Sequence, residues 1–207
     1  MKLVIGDKNA SSWSMRPWVL LKHFGIAFDE VLIPLYAPES KANLRKVSPT
    51  GKVPCLITDS GDTIWESIAI METIAEMHPE HAMWPRDAIA RAHARSVSAE
   101  MHAGFSDLRK NMPLEIFKRA PGEGATPEAL ADIARIEAIW AECLSKSNGP
   151  FLFGDFTIAD AMFAPVVMRF NTYAPALSAQ SQAYAKRITE LPAVAAWIDD
   201  ARKEIGR

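Results

Sequence analysis

Cysteine is scarce in this sequence, and so are long apolar runs and any excess of charge of one sign. Only two cysteines, Cys55 and Cys143, occur among 207 residues, and no CxxC or CxxH spacing is present. This disfavours a disulfide and a zinc module. No run approaches the ~18 consecutive apolar residues of a membrane span. The formal net charge is −2 without a basic block, which argues against a nucleic-acid partner.

What the chain does contain is ordinary for a globular protein. Hydrophobic residues make up 49% and charged residues 23%, and the length suffices for one large domain or two small ones. The apolar stretch between Met1 and Asp7 is too short for a signal peptide, and unpaired thiols suit a reducing compartment. We expect a cytoplasmic protein. The five histidines show no metal-ligand spacing beyond His78 and His81, which flank a proline, so we expect no metal.

Short strands and helices alternate over residues 1–80. Four segments bounded by turn residues are typical of strands: 2–6, 28–33, 54–58 and 63–65. Two helices are predicted, one that Ser14 caps and Gly25 ends, and one over 67–78. The order is β-α-β, a connecting segment, then β-β-α, which indicates a small α/β domain.

The pattern changes after Pro79. Residues 79–85 contain two prolines and predict a linker. Apolar residues then recur at helical spacing, and we expect an all-helical domain over 88–207. The helical positions are Val97, Met101, Phe105, Leu108 and Met112 in one segment, Ile133, Ile136, Trp140 and Leu144 in a second, and Val194, Trp197, Ala201 and Ile205 in a third.

Three short motifs lie on this layout. The segment from Ser11 to Trp18 reads SSWSMRPW, so that Ser11 precedes Arg16 by five positions; residues 48–54 read SPTGKVP; and Trp65-Glu66-Ser67 opens a predicted helix. In this order the chain resembles the glutathione transferase superfamily, and its first motif resembles the serine motif of zeta- and tau-like members. The resemblance covers nearly the whole chain. It implies a thioredoxin-like α/β N-terminal domain plus an all-α C-terminal domain.

The resemblance also implies glutathione as co-substrate, bound in the α/β domain. Val53, before a proline that is cis in the family, would pair with the tripeptide backbone. Glu66 would take the ammonium group, and Ser67 would hold the α-carboxylate at a helix N-terminus. The implied glutathione-binding residues are Lys41, Lys52, Val53, Pro54, Glu66 and Ser67, the lysines serving the glycyl carboxylate. From the residues alone, a turn proline, a helix cap and solvated surface side chains remain alternatives.

A serine hydroxyl is the predicted activator of the glutathione thiol. A thiol pKa near 8.5 leaves only a few per cent thiolate at neutral pH, and lowering it by two units requires roughly 2.7 kcal/mol. A hydroxyl at a helix N-terminus, where backbone N–H groups favour an anion, can supply this. The resemblance favours Ser11, with Ser12 left open as the group that faces the thiol. The alternative is that these serines only cap the helix.

The electrophile pocket is expected between the two domains. Its candidate residues are apolar or aromatic, with one arginine that could face an anionic substrate: Trp13, Met101, Phe105, Arg109, Met112 and Phe117. The same apolar residues at helical spacing are also typical of a helix core. Thr157 and Asp160 have the spacing of a capping box, for which we predict a role in folding.

We therefore predict a serine-type glutathione transferase that conjugates small hydrophobic electrophiles, as in detoxification, and works as a homodimer. One alternative is a glutathione-dependent isomerase that resembles maleylacetoacetate isomerase, although Trp13 stands where that motif has cysteine. The other is a non-catalytic binding or regulatory protein of the same fold. Fold alone does not decide between them.

Overall fold

A four-stranded sheet organises the first part of the chain. The computed structural model describes residues 1–205, so the last two residues of the predicted C-terminal domain lie outside it. The strands are β1 (Lys2–Ile5), β2 (Asp29–Leu32), β3 (Cys55–Ile57) and β4 (Thr63–Trp65), in the spatial order β2-β1-β3-β4. β1 pairs with β2 in parallel and with β3 antiparallel, and β3 pairs antiparallel with β4. The predicted strands are present, with slightly shorter bounds.

Three helices accompany the sheet: α1 (Ser12–His23), α2 (Ser40–Val47) and α3 (Ser67–Met77). α1 makes the crossover between the parallel strands β1 and β2, as that connection requires. α2 lies in the segment that the sequence pattern left as a connection. Only Ser40 and Leu44 of α2 are buried, so it lacks the apolar periodicity that would have predicted a helix.

The first helix begins earlier than predicted. Ser11 is the N-cap of α1, and its Oγ accepts a hydrogen bond from the backbone N–H of Ser14 at 3.4 Å. Ser14 lies inside the first turn, where its own Oγ accepts from the N–H of Gly6 at 3.1 Å. The prediction that Ser14 caps this helix is wrong, because each of these serines has the chemistry of a cap and only the position of β1 selects between them.

Six helices form the second part: α4 (Ala88–Ala103), α5 (Ser106–Asn111), α6 (Pro127–Lys146), α7 (Ile158–Tyr173), α8 (Ala179–Thr189) and α9 (Pro192–Ile205). α7 is buried along almost its whole length and packs against α1, α4 and α8. The predicted capping box opens α7: Thr157 and Asp160 exchange both hydrogen bonds. None of the helices within residues 1–205 is both long and apolar enough to cross a membrane.

The spacing of the apolar residues from Val97 to Met112 predicted a single helix, but the structure has two helices here. α4 ends at Gly104, where a Cβ atom would lie 2.9 Å from the carbonyl oxygen of Glu100. Phe105 then takes a left-handed conformation with φ of 62° before α5 begins. Because helical periodicity continues through the corner, the apolar pattern alone hides this break.

The two parts of the chain share one core. A continuous cluster of buried apolar side chains runs from Leu3 on β1 and Trp18 on α1 to Phe163 on α7 and Trp197 on α9. The loop before α1 is also tied to α9: the indole N–H of Trp197 donates to the carbonyl of Lys8 at 3.0 Å, and the buried Lys8 ammonium contacts Glu30 and Glu204. The start of α1 is thus held from both parts of the chain.

Candidate functional site

A cavity of about 160 Å³ opens beside the edge of the sheet where β3 begins. Its lining residues are Trp13, Thr50, Lys52, Val53, Pro54, Glu66 and Ser67. Five of the six residues predicted to bind glutathione therefore come together here. The sixth, Lys41, is exposed on α2 and lines no described cavity. We call this space the sheet-edge cavity.

Val53 presents free backbone groups to the sheet-edge cavity. The peptide bond between Val53 and Pro54 is cis, as the resemblance implied. Within residues 1–205, neither the N–H nor the C=O of Val53 has a hydrogen-bonding partner in the protein. An extended peptide in this cavity could therefore pair with both groups, as an added strand does.

Glu66 and Ser67 stand at the start of α3. Glu66 has φ of 66°, an uncommon conformation for a residue other than glycine, and its side chain is exposed, whereas Ser67 is fully buried. The guanidinium of Arg16 reaches the Ser67 hydroxyl at 3.5 Å. His102, from α4, lies 3.3 Å from a Glu66 carboxylate oxygen. His102 was not predicted, because nothing in its local sequence indicates that α4 passes this carboxylate.

A larger cavity of about 470 Å³ is also lined by Trp13. It is lined by residues of the loop before α1, of α1 itself, and of the second part of the chain: Asn9, Ala10, Ser12, Trp13, Tyr36, Arg109, Pro113, Leu114, Glu115 and Arg169. We call it the arginine cavity. Trp13 lines both cavities and forms a wall that they share.

Three arginines from three helices surround Trp13 and Ser12. The guanidinium groups of Arg16 and Arg109 lie over the Trp13 ring, at 4.3 and 4.7 Å from its centroid. Arg169, from α7, donates to Met112 O at 2.8 Å and to Ser12 Oγ at 3.3 Å. Arg16 and Arg169 are almost completely buried. Arg109 is half-buried and donates to the carbonyls of Gly104 and Met101.

These arginines have no acidic partner. In the part of the chain that the structure describes, no carboxylate forms an ion pair with any of them. Arg16 Nη2 and Arg109 Nη1 are buried without a hydrogen-bonding partner. Burial, and then the charge of Arg109, lower the pKa of Arg169 to about 9. Burial followed by the other two arginines holds the pKa of Arg16 well below its usual range. In the described residues the cluster therefore has no counter-ion within ion-pair distance, although Glu115 lines the same cavity and Asp132 opposes the effect of burial on the pKa of Arg109.

The two predicted activating serines occupy different environments. Ser11 is buried, lines neither cavity, and donates its hydroxyl proton to Ser14 Oγ at 2.7 Å. Ser12 lines the arginine cavity and accepts from Arg169. Both serines lie at the N-terminus of α1, where the exposed N–H groups of the helix favour an anion.

Most of the apolar side chains predicted for the electrophile pocket are core residues in this structure. Met101, Phe105 and Met112 are at most 7% exposed and line neither cavity. Phe117 is half-buried, packs against the same core and carries Arg202 over its ring at 5.5 Å. Of the predicted set, Trp13 and Arg109 line these two cavities.

Arg169 is a second residue, besides His102, that the sequence analysis missed. A signal was present: it is the single charged residue in the run AMFAPVVMRF of α7. A lone arginine in an apolar helix is rarely buried without a partner, so it could have been marked for a ligand or a polar contact. Among residues 1–205, no three histidine, cysteine, aspartate or glutamate side chains come close enough together to hold a metal ion.

Comparisons with known proteins agree with this architecture. The family model described as "Glutathione S-transferase, N-terminal domain" matches residues 10–77, and the one described as "Glutathione S-transferase, C-terminal domain" matches residues 123–200. The first covers α1 to α3 with the sheet-edge cavity, and the second covers α7 with Arg169.

Individual relatives and solved structures are similar to the chain over most of its length. A probable maleylacetoacetate isomerase of Caenorhabditis elegans is 29% identical over 171 residues, covering 80% of this chain and 77% of the relative. A zeta-class glutathione S-transferase of Euphorbia esula is 28% identical over 196 residues, covering 89% and 86%. A solved glutathione transferase homologue from Burkholderia gl BGR1, with bound glutathione, has a TM-score of 0.74 at 24% identity over 98% of this chain and 97% of that one. At that identity the structural likeness shows the fold.

Proposed function

Because the chain belongs to the glutathione transferase superfamily, we propose that it joins the thiol of glutathione to a small electrophile that carries a carboxylate. The observation that supports this most directly is the position of Trp13. It separates a cavity suited to an extended tripeptide from one lined by unpaired arginines. Two substrates bound on either side of one ring would meet at the N-terminus of α1.

Glutathione is proposed to occupy the sheet-edge cavity. Its peptide backbone pairs with the free groups of Val53, and its γ-glutamyl end lies at Glu66 and Ser67. The N-terminus of α3 favours the α-carboxylate there, and the exposed Lys52 is within the same lining for the glycyl carboxylate. These assignments carry over the roles that the resemblance implied to residues that share one cavity.

The electrophile is proposed to bind in the arginine cavity through Arg109. Nη1 of Arg109 is a buried donor without a partner, and a carboxylate would satisfy it with a charge-assisted hydrogen bond. The thiolate then attacks the electrophilic carbon. A carbon–sulfur bond forms, and the displaced electron pair leaves with a leaving group or moves onto a conjugated carbonyl oxygen, where the positive cluster stabilises it.

Isomerisation of an unsaturated acid is the second candidate. Several relatives are named as maleylacetoacetate isomerases, and that name denotes a substrate with carboxylate groups. In such a reaction the thiolate adds to the double bond and the electron pair moves onto the conjugated carbonyl oxygen. The resulting single bond rotates, and the returning electron pair re-forms the double bond and expels the thiolate. The unpaired arginines could bind the carboxylate of a substrate in either reaction. The bulky Trp13, which stands where the isomerase motif has cysteine, favours conjugation over isomerisation.

A matched pair of electrophiles tests the proposal. 4-Chloro-3-nitrobenzoate and its primary amide react with glutathione by the same displacement of chloride but differ in charge. We expect the acid to be used with a kcat/KM at least tenfold higher. Arg109→Met should remove that preference, whereas Arg135→Met, which breaks a surface pair with Glu100, should keep it. Equal rates for both electrophiles in the wild-type protein would refute an anionic substrate.

This kinetic assay, combined with calorimetry, separates an enzyme from a non-catalytic protein of the same fold. Binding of glutathione in a calorimeter without turnover of any electrophile would favour the non-catalytic protein.

We also propose a cytoplasmic homodimer. The exposed side chains of Trp65, Met77 and Ile89 on the adjacent elements β4, α3 and α4 support pairing, since a two-fold interface would cover them. A mass of one chain in light scattering at micromolar concentration would contradict the dimer.

A further inference from the structure

We propose that Arg169 is a positioning residue for the thiol chemistry: it holds Ser12, rather than Ser11, as the hydroxyl that donates to the glutathione thiolate. The proposal rests on the proposed function and adds to it a residue from the opposite end of the chain. Ser12 and Arg169 are 157 positions apart, and their side chains meet at 3.3 Å between Oγ and Nη2.

The protons of the two serines are used differently. A serine hydroxyl has one proton to donate and two lone pairs to accept with. Ser11 donates its proton to Ser14 Oγ and accepts from the N–H of Ser14. Both hydrogen bonds of its hydroxyl therefore lie within the first turn of α1. Ser12 only accepts, from Arg169, and in the part of the chain described its proton has no acceptor. That proton is free to be donated into the arginine cavity.

Arg169 is itself fixed in place. Its Nε donates to Met112 O at 2.8 Å and its Nη1 to Pro165 O at 3.4 Å, so that Nη2 is directed at Ser12. Because the donor is a cation, its hydrogen bond to one lone pair of the Ser12 oxygen polarises the hydroxyl, which strengthens donation to an anion. A guanidinium cannot take the thiol proton, so Arg169 acts through Ser12 and through its charge.

The surrounding charge acts in the same direction. After burial, the charge of Arg109 lowers the pKa of both Arg16 and Arg169, and Arg169 also lowers that of Arg16. Two acids lie nearby. Burial lowers the pKa of Arg109 and Asp132 raises it, and Asp132 also accepts the backbone N–H groups of Asp107 and Leu108. Glu115 lines the arginine cavity and is paired with Lys118. A thiolate at Ser12 would be the missing counter-ion, and three cations favour thiolate over thiol.

The test is a pH titration of glutathione bound to the protein, followed by thiolate absorbance near 240 nm. We expect Ser12→Ala to raise the apparent pKa of the bound thiol by about one, a tenfold loss of thiolate at fixed pH. Ser11→Ala is the matched control. It should lower thermal stability by removing the cap of α1 and leave the thiol pKa unchanged. A shift with Ser11→Ala and none with Ser12→Ala would overturn the proposal.

Arg169 is tested in the same titration. Arg169→Gln should raise the thiol pKa, and combining it with Ser12→Ala should add less than the sum of the two shifts, because both remove one arrangement. Arg169 also donates to the carbonyls of Met112 and Pro165, so Arg169→Lys replaces the glutamine variant if that variant does not fold. We expect Arg169→Lys to raise the thiol pKa by a smaller amount. A lysine variant with the wild-type titration would remove Arg169 from the mechanism. Failure of the wild-type protein to bind glutathione would instead refute the proposed function.

Discussion

Helix α7 carries two buried charges of opposite sign, and their surroundings differ completely. Asp160, in its first turn, accepts four hydrogen bonds, from Leu152 N–H, Thr157 N–H, Thr157 Oγ1 and Tyr184 Oη, all between 2.9 and 3.1 Å. Arg169, about two and a half turns later, has two carbonyls and one hydroxyl and shares its surroundings with two further arginines.

The difference separates a charge whose hydrogen bonds join three segments of the fold from charges that have no counter-ion within ion-pair distance among the described residues. A buried ion whose lone pairs are all satisfied joins the segments that satisfy it. Here Asp160 joins the loop at Leu152, the start of α7, and α8 through Tyr184. A buried cation cluster without a counter-ion destabilises the protein until an anion arrives. Three predictions test this contrast.

The largest effect is expected at Asp160. Asp160→Ala should leave the four donors without an acceptor, and because each orphaned donor costs ~1–3 kcal/mol, the free energy of unfolding should fall by at least about 3 kcal/mol. Urea denaturation measures it. Asp155→Ala, at an exposed acid five residues earlier, is the matched control and should change stability by less than about 0.5 kcal/mol. A loss of stability at Asp160→Ala no larger than that of the control would show that these four hydrogen bonds do not stabilise the fold.

An anion should stabilise the arginine cluster without glutathione. Maleate at one hundred times its dissociation constant should raise the free energy of unfolding by about 2.7 kcal/mol, seen as a higher melting temperature, whereas neutral maleamide should not. Arg109→Met should abolish the gain and Arg135→Met should retain it. If maleate and maleamide act alike, the cluster does not select for charge.

The pH dependence should distinguish Asp160 from an ordinary surface acid. Burial raises the pKa of Asp160 to about 6 despite its four donors. The folded state therefore binds a proton that the unfolded state, with a pKa near 3.9, does not bind between these values. Stability relative to Asp160→Asn should thus increase as the pH is lowered from about 6 to about 4, by on the order of 2 kcal/mol. A flat difference would show that the donors outweigh burial.

Much of the sheet-edge cavity could be predicted from the sequence because its residues lie in short motifs. Val53 and Pro54 end one motif, and Glu66 and Ser67 open a helix; strand β3 and helix α3 bring both to one sheet edge. The resemblance implies that Lys41 assists Lys52 at the glycyl carboxylate. An exposed lysine on a short helix has no local pattern that distinguishes a ligand from a solvated side chain, and it lies away from the described cavities.

The arginine cavity could not be predicted in the same way. Helical periodicity correctly grouped Met101, Phe105 and Met112 as one apolar face, but periodicity does not state whether such a face meets a core or a cavity. The left-handed Phe105 turns the chain before α5, and this corner gives Arg109 its place beside Trp13 while the apolar side chains turn into the core.

Residues within a few positions of one another were sufficient to predict the four strands, the helices α1 and α3, the capping box of α7 and the three motifs of the α/β part, whereas α2 had no such local pattern. The identity of the serine that caps α1, the break in the helical stripe, and the meeting of arginines from α1, α5 and α7 beside Trp13 and Ser12 follow from the fold instead. Those features depend on electrostatic and packing contacts between residues up to 157 positions apart, and such contacts leave no periodicity in the chain.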